Sequence, residues 1–199
     1  MNYLAHAYLS FNNSAILAGN ISSDFIKGKK QYEYKGLVHK GIQLHRAIDA
    51  FTDAHPATAA IKNFFKQYYR LYSGAFVDVV YDYFLANDTG EFATQENLQT
   101  FVQETYQSLH EQYEQLPPDF QPVFEHMRTH NWLYNYRYTW GIQKSFAGIA
   151  YRAKFIEDSD TAFRIFESNI EAIRPYYSDF FPLLKKYTAD TLQQLVHDE

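Results

Sequence analysis

Phe76-Val77-Asp78-Val79-Val80-Tyr81-Asp82-Tyr83-Phe84-Leu85 is the stretch on which the fold class turns. Its β-branched and aromatic residues are those of a strand. No second convincing strand exists in the chain for it to pair with, however, and an isolated strand is not viable. The segment therefore reads as a buried helix, and the chain as an all-α protein. On a helix Asp78 and Asp82 share one face, about 6 Å apart along the axis. Two carboxylates there are unfavourable unless something positive lies beside them, whether an Arg, a Lys or a metal ion.

Outward from this segment the periodicity is helical throughout. Ile61, Phe64, Phe65, Tyr68 and Tyr72 recur at three- and four-residue steps, as do Leu98, Phe101, Val102, Thr105 and Leu109, and then Phe163, Phe166, Ile170, Ile173 and Tyr177. Each set forms an apolar stripe that must pack against another helix. The breaks are Gly28 after an early helix, Pro56, Asn87-Asp88-Thr89-Gly90 and Pro117-Pro118, with Pro175 and Pro182 expected to kink or end a helix. Helices are expected near residues 2–10, 14–27, 35–54, 57–71, 74–87, 94–115, 119–129, 138–152 and 160–187, with a short terminal one. At 199 residues, without repeats or Gly/Ser linkers, the chain reads as one helical-bundle domain.

Composition removes several function classes. There is no cysteine, so disulfides, zinc fingers, iron–sulfur clusters and thiol nucleophiles are excluded. A bound metal would take His, Asp, Glu or Asn ligands. No basic start with a cleavage site precedes an apolar run, and no such run approaches the ~20 residues that span a bilayer. The expected compartment is the cytoplasm. Between Lys27 and Arg46 six cations face one acid, Glu33; this +5 leaves −10 for the rest of a chain of net charge −5. The stretch is either a solvated face or a docking patch for an anionic protein. The acidic remainder argues against nucleic acid.

Three further residue sets bear on chemistry. His45, Asp49 and Asp53 step by four along one helix stripe about 12 Å long, too long for one cation to reach both ends. His45 with Asp49 is the natural chelating pair. Asp53, just before Ala54-His55-Pro56, reads as a helix cap. Asn20 and Asp24 are also four apart, and His6 lies on an early helix among apolar residues, where a lone His more often serves the core. His126 and His130 could bind metal by spacing alone. No Glu-x-x-His, His-Glu-x-x-His or Walker loop occurs.

Met-Asn-Tyr-Leu-Ala-His at 1–6, Gly-Asn-x-x-x-Asp-Phe at 19–25, Gly-Ile-x-x-His-Arg-x-Ile-Asp at 41–49, Thr-Asp at 52–53 and Val-Asp-x-x-x-Asp-x-Phe-Leu at 77–85 together resemble the acyl carrier protein phosphodiesterase family. Trp132-Leu133, Tyr136-Arg137 and Gly148-Ile-Ala-Tyr-Arg152 continue the resemblance more thinly. That family is an outlying branch of the helical HD phosphohydrolases, and its members remove 4′-phosphopantetheine from holo acyl carrier protein with Mn²⁺. The resemblance implies Asp24, His45, Asp49 and Asp78 as metal ligands, for Mn²⁺ first and Mg²⁺ or Fe²⁺ as alternatives. It puts His6, Asn20 and Asp82 in a second, catalytic rank. Arg46 or Arg152 would offset phosphoryl charge, and His6 would protonate the leaving group. The adjacent His-Asp dyad that names the wider superfamily occurs only at His197-Asp198, in a polar tail. Holo acyl carrier protein would dock on the Lys27–Arg46 stretch. The alternatives are the same centre acting on a nucleotide or small phosphodiester, and a helical binding module without turnover.

Overall fold

A computed structural model describes every residue except Lys154, Glu157, Asp198 and Glu199. The described residues form ten α-helices and no strand: α1 (Tyr3–Tyr8), α2 (Ser14–Ser22), α3 (Gly36–Ala54), α4 (Pro56–Tyr69), α5 (Ser73–Ala86), α6 (Gln95–Glu111), α7 (Gln121–Thr129), α8 (Trp132–Asn135), α9 (Thr139–Arg152) and α10 (Asp160–His197). Short 3₁₀ turns link several of them. The dipeptide His197-Asp198 lies partly outside the described residues. No described helix is long and apolar enough to cross a membrane.

The ambiguous segment is helical because α5 is wrapped on most sides. Phe76, Val77, Val79, Val80, Tyr81, Phe84 and Leu85 are all buried, and α5 packs against α1, α4, α9 and α10. Burial of this much apolar surface overrides the modest strand preference of Val and Tyr. Phe65, Phe76, Phe146 and Phe166 form the aromatic centre on one side of it, with Phe76 and Phe146 edge to face at 4.9 Å between centroids.

Two close approaches set the site. α2 and α3 cross with their backbones in contact at Gly19 and Gly41. A Cβ at Gly19 would lie 2.0 Å from the Val38 carbonyl oxygen, and one at Gly41 2.2 Å from that of Ile16. Only glycine fits at either position, and the contact brings the end of α2 against the middle of α3.

Three boundaries differ from expectation. The second helix stops at Ser22 and continues only as a 3₁₀ turn, Ser23–Phe25, and Gly28 adopts φ +58° to open the next turn. Asp53 does not cap α4: the His55 ring accepts the Ala57 N–H, and Asp53 pairs instead with Lys62 at 2.7 Å. α10 continues unbroken to His197 in place of a separate terminal helix, and runs through Pro175 and Pro182 as the expected 160–187 helix does. Both lie on its exposed face, as do Glu171 and Ser178 four residues earlier, so water can serve the carbonyls that proline leaves unbonded. Phe166, Ile173, Tyr177, Phe180, Phe181 and Leu184 meanwhile hold the other face in the core.

Candidate metal centre

Asn20, at the buried end of α2, organises two histidines. Its amide nitrogen donates to the His6 carbonyl at 2.9 Å and to Ser10 Oγ at 3.0 Å, which fixes the amide orientation because a carbonyl can only accept. Asn20 Oδ1 then faces His6 Nδ1 at 2.8 Å and must accept from it. The Asn20 backbone carbonyl, brought close by the Gly19–Gly41 contact, accepts from His45 Nδ1 at 2.7 Å. Both rings therefore carry hydrogen on Nδ1 and direct Nε2 elsewhere. They stack with centroids 4.1 Å apart and planes 16° from parallel.

Both Nε2 atoms meet Asp49. His6 Nε2 lies 3.3 Å from Asp49 Oδ1, and His45 Nε2 lies 3.1 Å from Asp49 Oδ2 and 3.2 Å from Asp24 Oδ1. His6 Nε2 is buried and has no hydrogen-bond partner. A bare ring nitrogen against a carboxylate is repulsive and would be costly to bury, and a cation between them removes the conflict. His6, His45 and Asp49 each offer a ligand atom within 4.8 Å of the others, the sole such group of three among the described residues. Imidazole and carboxylate donors with Nδ1–H held by a carbonyl are the set that first-row divalent ions take.

The electrostatics agree. Burial and the neighbouring His45 lower the His6 pKa to about 4, against the pull of Asp49. Burial opposes charge on His45 too, but Asp24 and Asp49 outweigh it and raise its pKa to about 9. Burial alone would raise the Asp49 pKa, but the neighbouring His45, with the amino group of Met1 behind, holds it well below the usual carboxylate range. The raised pKa favours a proton on His45, which a cation bound there would displace. The lowered pKa favours the neutral imidazole of His6, the form that a ligand position takes.

The other expected residues fall around this group. Asp24 is 76% exposed and touches the cluster through His45. Asp78 does not reach the imidazoles: its Oδ1 lies 3.0 Å from the Met1 amino group, which is 3.4 Å from Asp49. Burial disfavours charge on that amine, yet Asp78 and Asp49 raise its pKa to about 10. Asp82 is fully buried and accepts the Leu4 and Ala5 N–H groups at 2.8 and 3.1 Å, holding the start of α1 rather than facing solvent. Arg46 is exposed and bonds Gln31. Arg152 lines a cavity shared with Asp24 and Asp78. His126 and His130 lie 4.0 Å apart between ring centroids, tilted by 41°, outside the cluster. Sequence reasoning did not foresee Ser10 or the Met1 amine; no spacing rule signals either.

Fold and centre together define an all-helical protein with a histidine–carboxylate group of the kind that holds a divalent cation. Comparison with known proteins gives the particular family. The family model described as acyl carrier protein phosphodiesterase matches residues 1–184, and this chain belongs to that family. It is 29% identical over 190 residues to an acyl carrier protein phosphodiesterase of Serratia proteamaculans, covering 96% of this chain and 98% of that one. To the protein of the same name from Yersinia pestis it is 27% identical over 186 residues, 94% and 96% of the two chains. No solved structure matches.

Proposed function

We propose that this chain hydrolyses the phosphodiester that joins 4′-phosphopantetheine to a serine of holo acyl carrier protein, using a divalent cation held by His6, His45 and Asp49 with Asp24 at its open side. The observation that carries the reading is His6 Nε2, buried without a hydrogen bond and aimed with His45 Nε2 at one carboxylate. Mn²⁺ suits this donor set, as do Mg²⁺ and Fe²⁺. Such an ion polarises a phosphoryl oxygen and makes water nucleophilic near neutral pH. In the reaction a bond forms from water oxygen to phosphorus, the bond from phosphorus to the serine oxygen breaks, and that oxygen takes a proton.

The chain's own groups have distinct tasks. Asn20 locks both imidazole tautomers. Asp78 and the Met1 amine fix Asp49 from behind. Arg152, on the cavity wall beside Asp24, offsets charge on the phosphoryl oxygens. The exposed lysines 27, 29, 30 and 35 and Arg46 flank Asp24 and His45 in the chain, which suits docking of an acidic carrier protein in the cytoplasm.

The test is a mass measurement on holo carrier protein incubated with the Mn²⁺-loaded chain. The expected result is loss of the arm's mass, abolished by chelation. An unchanged mass, with a nucleotide or other small phosphodiester cleaved in parallel, would move the assignment to that substrate.

A further inference from the structure

A cavity of about 730 Å³ opens beside the metal centre, within the range of small-molecule sites. Met1, Asp24 and Asp78 form the wall nearest the centre. One stripe of α9 forms another part of the lining: Trp140, Lys144, Gly148 and Arg152 step by four residues and all border the space. Lys144 lies over the Trp140 ring, 5.0 Å from its centroid, and neither Lys144 nor Arg152 forms an ion pair with a described residue. Trp132 and Tyr136 close another side.

Gly148 is the informative member. Glycine in a helix interior is unfavourable relative to alanine. Elsewhere in α9 the same residue has a packing reason, since a Cβ at Gly141 would lie 2.0 Å from the Asn135 carbonyl oxygen. At Gly148 no such reason exists: the nearest atom to an added Cβ is Arg152 Nη1, at 3.9 Å. The missing side chain leaves a notch one turn from Lys144 and one turn from Arg152, in the cavity that Asp24 and Asp78 also line.

We infer that this notch and cavity hold the substrate's prosthetic arm, a phosphate ester carrying a slim chain of amides, with Lys144 and Arg152 taking its phosphate end and the aromatic wall its chain. The inference rests on the proposed hydrolysis and adds where the arm lies and which residues select it. The chain's two tryptophans, Trp132 and Trp140, both line the cavity, so intrinsic fluorescence reports its occupancy directly.

The experiment titrates 4′-phosphopantetheine into the full Mn²⁺-loaded chain while tryptophan emission is followed, with Gly148→Leu and Lys144→Ala alongside and turnover of holo carrier measured in parallel. The wild type should show a saturable change. Gly148→Leu should weaken it at least about tenfold while keeping its melting temperature and bound Mn²⁺, since leucine favours helix and meets open space. Lys144→Ala, an exposed substitution that spares the fold, should weaken it about fivefold or more through loss of a charge-assisted contact. Unmoved wild-type emission, or equal affinity in the variants, overturns the inference. If that happens while holo carrier is cleaved, the hydrolase reading stands without this cavity. If holo carrier is untouched but the binding differences appear, the cavity stands and the substrate assignment falls.

Discussion

The molecule contains two close histidine pairs with nearly the same ring spacing and opposite characters, one stacked and one tilted by 41°. His6 and His45 come from different helices, 4.1 Å apart between centroids, buried, with each Nδ1 held by an Asn20 oxygen and each Nε2 aimed at Asp49. His126 and His130 sit one turn apart on or just past α7, 4.0 Å between centroids, exposed, with His130 Nδ1 donating to the His126 carbonyl. Spacing does not distinguish them. The difference lies in the acceptors behind the rings and the acid in front, which fix a tautomer and assemble a donor set that could hold a cation in one pair only.

Breaking the acid gives the largest expected effect. Asp49→Ala or His45→Ala should abolish Mn²⁺ binding and lower turnover on the order of a thousandfold or more, whereas His126→Ala should leave the bound metal unchanged by elemental analysis. Removing the shared acceptor tests the tautomer argument: Asn20→Ala should cost about 10- to 100-fold in Mn²⁺ affinity by calorimetric titration, with the helical circular dichroism retained. The backbone contact behind that acceptor is tested by Gly41→Ala. Its Cβ would strike the Ile16 carbonyl oxygen at 2.2 Å, so denaturant unfolding should show a loss of ~1–3 kcal/mol or more, and the metal affinity should fall with it.

The smallest effect concerns the anchor of α1, which carries His6. Burial raises the Asp82 pKa to about 7, against the two backbone N–H groups it accepts. An acid whose folded pKa lies above its unfolded value binds more protons when folded. Its contribution is therefore most favourable at low pH and is lost as pH rises from about 4 through 7. Asp82→Asn removes this dependence but provides a weaker acceptor for Leu4 and Ala5. Melting curves should show the variant less stable than wild type by about 1–3 kcal/mol near pH 5, and the gap narrowing at pH 8.

Much of this was readable in the residues. The helical class followed from the want of a partner strand for 76–85, and burial on most sides of α5 bears out the helix. His45 and Asp49 lie within one helix, so their spacing exposed them as a pair. The role of His6 was hidden because its partners come from α2 and α3, and a lone His on an apolar helix carries no sign of what crosses it. Gly19 and Gly41 were visible as motif letters, but their function is a contact between two backbones, which one-dimensional spacing does not encode. Asp53 looked like a cap because capping is a local habit of Asp; the His55 ring occupied that role first, and Lys62 took the acid. α10 runs through both prolines, as the expected 160–187 helix does, and the difference is that it absorbs the separate terminal helix, which periodicity alone does not settle.

The most direct measurement is the Mn²⁺ electron paramagnetic resonance signal of the metal-stripped chain titrated with Mn²⁺, for the wild type and for folded Asp49→Ala. The account predicts that the wild type removes at least one equivalent of free Mn²⁺ signal per chain and that the variant removes none. Equal uptake by both proteins, or none by either, would contradict a cation between His6, His45 and Asp49.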